Sequence, residues 1–142
     1  MPISATTRAA MLDLMFMATA WAKMAQNNAT TPNTNIGFSL MTADPGSAGT
    51  MSTNEANYTG YTRMNVIRTG AGFVRSTNSI SPIADISFPV GTGGSGTLTH
   101  FACGDPAAGA QPYLFSGTLT PTVPSGAGIR PILLNTTTIT LT

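Results

Sequence analysis

One histidine, one cysteine and five carboxylates are the whole stock from which this 142-residue chain could build a catalytic or metal site. A hydrolytic triad would have to join His100 to a serine and to one of Asp44, Asp85 or Asp105. No serine stands in the G-x-S-x-G turn that presents a nucleophile. His100 lies in the alternating run Leu98-Thr99-His100-Phe101, where a structural role is expected. Acid pairs for glycoside hydrolysis need two carboxylates in one cleft, and the scattered acids nominate no pair.

Asp44 and Glu55 share the stretch TADPGSAGTMSTNEANYTGY (residues 42–61), rich in the Gly, Ser, Thr and Asn of a ligand loop. A calcium loop requires several oxygen ligands at alternate positions, and no further carboxylate occurs between these two. Asp44-Pro45-Gly46 instead reads as a tight turn, with Pro fixing φ and Gly accepting a positive one. GTGGSG (residues 91–96) lacks the Lys-Ser/Thr ending of a phosphate loop and precedes no helix; it reads as a strand connection. A lone cysteine, Cys103, excludes an internal disulfide and a cysteine-based zinc site, and its neighbours Phe101 and Ala102 suit a small buried hydrophobe. No catalytic residue, metal or cofactor is expected.

Arg63, Arg68 and Arg75 form the one basic cluster. Residues 63 and 68 are an odd number of positions apart and face opposite sides of a strand, so they make no phosphate-reading stripe. Arg63, between Tyr61 and Asn65, reads as a salt bridge or carbonyl clamp that could reach a partner.

The elements that would position these residues divide into two kinds. Residues 6–26 contain no Gly or Pro and are rich in helix formers, which predicts a helix of about five turns with Thr6 or Thr7 as N-cap. Met11, Leu14, Met15, Ala18, Ala22 and Ala25 follow one helical face, while Leu12, Phe16, Met17 and Trp21 carry apolar surface around the others. Asp13 argues against a secretory signal, and the run is too short for a membrane span. A core helix or a docking helix remains, with Met11, Leu12, Met15, Phe16 and Trp21, together with Arg63, as candidate partner or oligomer contacts.

NNATTPNTN (residues 27–35) is a polar linker, and after it the pattern turns to short strands. Strands are predicted at residues 36–41 (half-buried), 61–68, 73–74, 78–80, 84–88, 97–103, 113–119, 129–134 and 136–141, separated by turns such as 91–96 and 121–128. The expected architecture is mainly β, an antiparallel β-sandwich or jelly-roll-like domain at 36–142, preceded by one N-terminal α-helix in an arm and linker at 1–35.

Charged residues are 8% of the chain, against roughly 25% in an average soluble protein. A formal net charge of +1 gives no footprint for nucleic acid or an acidic membrane. Sparse surface charge also removes the usual barrier to self-association, so a homo-oligomer, dimer or trimer, is expected.

The order of signals LMTADPGSAGTMSTNEANYTGYTRMNV (40–66), ADISFP (84–89), GTLTHFACGDPAAGAQPYLFSGTLTP (96–121) and TTTITLT (136–142) resembles a family of small virion proteins of tailed bacteriophages. Its members carry a tail-fibre label, and some members or look-alikes serve as capsid decoration or cement proteins. Tyr61-Thr62-Arg63 and Thr99-His100-Phe101 match that pattern, whereas Thr53-Asn54-Glu55-Ala56 departs from its T-E-V stretch. The likeness covers residues 36–142 and leaves the Met-rich helix outside. It implies a non-enzymatic cement protein on the outer capsid surface, with the major capsid protein as partner, or alternatively a tail-fibre or tail-tip component for host attachment.

Overall fold

The computed structural model describes residues 3–21, 24 and 31–142. Among the described residues, helix α1 (Ala5–Met17) is followed by nine strands: β1 (Asn35–Met41), β2 (Met64–Ile67), β3 (Phe73–Ser76), β4 (Ser79–Pro82), β5 (Ile86–Ser87), β6 (Ser95–Gly104), β7 (Tyr113–Gly126), β8 (Ile132–Leu133) and β9 (Ile139–Thr140). The strands form a four-stranded sheet in the order β2-β1-β6-β7, a three-stranded sheet β3-β4-β9 and a two-stranded sheet β5-β8, with every pairing antiparallel. The expected mainly-β sandwich with one N-terminal helix is the fold observed.

The helix is shorter than its composition suggests. Ser4, rather than Thr6 or Thr7, is the N-cap, and its hydroxyl accepts from the amide of Thr7 at 3.2 Å. The last turn closes at Met17 because Ala18 takes a left-handed conformation with φ 53° and the Thr19 amide returns to the Asp13 carbonyl at 3.1 Å. Arg68, at the end of β2, donates to the carbonyls of Leu14 and Met15 and so satisfies C-terminal groups that a further turn would have used. A tertiary cap overrides local propensity here. Residues 22, 23, 25 and 26 of the predicted helix lie outside the described residues.

Alternation places Ile36, Phe38 and Leu40 of β1 on one face of the large sheet, opposite Phe101 and Cys103 of β6. These join Phe73, Ile80, Ile86, Phe88, Leu119 and Leu133 in one core, and Leu12 and Phe16 of α1 belong to the same cluster. The helix therefore shares its core with the β-domain, and a boundary at residue 35 does not separate two cores. Gly117 faces Phe101, and a Cβ there would stand 2.8 Å from the ring. Gly117→Ala is expected to cost about 1–3 kcal/mol by overpacking, measured as a lowered urea midpoint with an unchanged slope.

β1 is buried along both faces rather than half-buried. The stretch 42–56 and the β6–β7 connection fold across its other face, where Met41, Met51 and Ala102 form a second small core against Tyr113. β7 also runs on to Gly126, through most of the expected turn at 121–128. Pro121 falls within a register shift of β7 against β6, and Pro124, opposite Thr97, is tolerated on an edge strand, which has a partner on one side only.

Candidate functional site

The residues with possible chemistry are engaged in holding the fold. His100 has Nδ1 2.9 Å from the Thr99 hydroxyl and Nε2 3.4 Å from the Thr118 hydroxyl. The three aspartates considered for a triad each accept a backbone amide: Asp44 from Gly46 at 2.9 Å, Asp105 from Ala107 at 2.9 Å and Asp85 from Asn135 at 2.7 Å. These contacts shape turns, and the fold does not gather His100 with an acid. The Asp44-Pro45-Gly46 turn is as expected, with Gly46 at φ +69°. GTGGSG is a strand connection, and Gly91 and Gly93 make β-bridges to Ala127 and Thr59.

Arg63 is the hub of the largest polar cluster. Its guanidinium donates to both oxygens of Glu55, each at 2.8 Å, to the Ser52 hydroxyl at 2.9 Å, and to the carbonyls of Ala107 and Gly109, each at 2.8 Å. The fork shape of the guanidinium makes the pairing with Glu55 bidentate. The same carboxylate accepts from the Tyr61 hydroxyl at 3.1 Å, and that hydroxyl accepts from the Leu40 amide at 3.1 Å. The hydrogen bond to Glu55 raises the Arg63 pKa, while burial and then the Glu55 charge push Tyr61 far above the usual tyrosine range. Arg63 is thus both a salt bridge and a carbonyl clamp, and it joins two loops of its own chain.

The other arginines diverge from it, Arg68 as its odd spacing implied. Arg68 caps α1, and Arg75 of β3 pairs with Asp13 of the helix. Of the apolar contact candidates, Leu12 and Phe16 are 0% exposed. They pack in the core of their own chain, because the helix turns this side onto β3, where Phe16 meets Phe73 edge-on with ring centroids 5.1 Å apart. Met11, Met15 and Trp21 are half-buried and keep a face toward the surroundings.

Cys103 is fully buried, and burial pushes its thiol up to about 12. The unfolded chain releases this proton near 9.0 and the folded chain does not. The stability this thiol contributes is therefore complete below about pH 9 and is lost as pH rises toward 12. Tyr61 acts in the same direction at higher pH. Denaturation at about pH 8 and pH 10.5 should show the loss, and Cys103→Ala should lose less between the two.

The alternating pattern did not reveal the surface that remains open. Leu114, Ile132 and Leu134 are 43%, 41% and 54% exposed, and they flank the C-terminal half of the fold. A groove of about 630 Å³ runs between β7 at residues 115–121 and the segment 132–140. No charged side chain is among the residues lining it. A second apolar strip at Ile67 and Ile83 lies beside β2. The signal that could have exposed the groove is charge distribution, since residues 106–142 carry one charged side chain, Arg130.

An antiparallel β-domain whose ionisable groups fasten loops, and whose free surface is neutral and partly apolar, has the make-up of a structural protein that works by packing against other chains. Residues 2–140 match the family model described as Podophage GP4 fiber I protein gp80, and the chain belongs to that family. It is a structural protein of a phage virion. No curated protein matches it. The match begins ahead of α1 and takes in the Met-rich helix, which the likeness in sequence motifs had left outside. None of the helices among the described residues is long and apolar enough to cross a membrane.

Proposed function

We propose that the chain is a non-enzymatic subunit of a podophage fibre, working as a homo-oligomer and joined to neighbouring virion chains through its strand edges and apolar strips. The observation that carries this reading is the family match over residues 2–140, which takes in helix and β-domain together. The neutral groove and the exposed Leu114, Ile132 and Leu134 support it, since burying apolar surface supplies about 25 cal/mol per Å² and repeated copies add by avidity. Met11, Met15 and Trp21 are proposed as further contact residues.

A capsid-cement role on the outer shell, with the major capsid protein as partner, is the second reading. It is favoured by the shape of the molecule: α1 has 13 residues and carries no heptad, so the chain alone builds no shaft. Labelled antibody on intact virions, with copy number from quantitative gel analysis, separates the two. A few tens of copies at the tail support the fibre subunit. Hundreds spread over the head would replace it with the cement reading.

A further inference from the structure

The longest strand of the molecule has an open edge. β7 ends the order β2-β1-β6-β7, so among the described residues its ladder is made to β6 alone. From Tyr113 to Thr120 it contains neither proline nor charge. Soluble sheets usually blunt such an edge with lysines, prolines, bulges or a covering segment. Here the segment that could cover it, residues 132–140, stands across the groove and is paired elsewhere, through β8 to β5 and β9 to β4.

We propose that this groove accepts an extended, uncharged, β-branched segment of another virion protein, which adds as a strand to β7 along residues 115–120. The proposal rests on the reading of the chain as a virion structural subunit. Three features choose that occupant. The lining has no charge, so a charged segment would lose its hydration and find no counter-charge. Residues 115–118 pair in unbroken register with β6, and β7 continues past a register shift to Thr120, about 20 Å for the six residues, the length of an ordinary strand. The far wall, residues 132–140, faces β7 across the groove, so an added strand would lie between two parts of the chain, against Ile132 and Leu134. Backbone bonds to β7 would supply affinity, and the alternation of exposed Ser116 and Thr118 with inward Phe115 and Leu119 would select the side chains.

The test exposes the intact chain to overlapping peptides that span the other proteins of the same virion. Binding is compared between wild type and a Ser116→Lys, Thr118→Lys variant, which alters exposed positions. The expected result is an uncharged peptide that binds wild type, slows amide exchange within residues 115–120, and binds the variant at least about tenfold more weakly. Amide exchange on wild type decides the matter if the variant does not fold. The proposal is overturned if no peptide binds, or if a bound peptide leaves those amides unprotected. It is also overturned if sedimentation shows copies of the chain pairing through β7, an association the variant would abolish. These failures leave the virion location, read from labelled particles, as a separate result.

Discussion

Phe16→Ala is expected to lower the free energy of unfolding by about 3–5 kcal/mol, the usual range for removing a buried aromatic ring. The ring lies between the layers: it meets Phe73 of β3 edge-on at 5.1 Å and stacks on Phe115 of β7 at 5.9 Å. Removing it deletes apolar contact with both sheets and two ring pairs, each worth about 0.5–1.5 kcal/mol beyond its area. The helix backbone is held by Arg68, so it cannot easily move inward to fill the cavity. Met11→Ala, on the half-buried side, should cost about 1 kcal/mol or less. Urea unfolding of the two variants measures the contrast. A detachable docking helix would give the opposite pattern, an unchanged midpoint for Phe16→Ala with weakened partner binding.

That contrast also marks where the sequence could and could not be read. Strands at 36–41, 97–103 and 113–119 were legible because period-two alternation, and glycine or proline at their ends, are local properties. The helix was legible as a helix but not in its extent. Its stop depends on an arginine at position 68, far away in sequence, and no local signal of the Gly-at-C′ kind marks Ala18. Apolar residues around several sides of α1 suggested a second partner, yet Leu12 and Phe16 use those sides within one core. Amphipathic pattern cannot tell a chain's own sheet from a neighbour's.

The stretch 42–61 shows the same limit for the candidate site. Its turn at Asp44-Pro45-Gly46 was readable, and so was the shortage of ligands for a metal. Its purpose as a cover for β1 was not, because Met51 reaches Met41 and Ala102 only after β1 and β6 have paired. The missing charge of residues 106–142 was plain in the composition, but its placement along an open strand edge comes from sheet order. For a structural protein of a virion, the informative features are those faces that topology leaves uncovered.

Arg63→Ala tests the fastening of those loops and is expected to destabilise the chain by about 3 kcal/mol, the lower end of the range for breaking a buried ion pair. Both side chains are largely enclosed, at 11% and 18% exposure, so solvent screens the pair weakly. Removing the guanidinium leaves the Glu55 carboxylate with Tyr61 and no counter-charge, and releases the carbonyls of Ala107 and Gly109. Amide exchange should rise first in the 105–112 connection and around Met51, whose amide bonds to the Gln111 carbonyl at 2.8 Å. Because most of the penalty is the orphaned charge, Arg63→Ala combined with Glu55→Gln should recover stability relative to Arg63→Ala alone. Global unfolding of the single and double variants measures this coupling. If the double variant is no more stable than Arg63→Ala, the loss lies in the two carbonyl bonds, and the clamp holds the loop without depending on its ion pair.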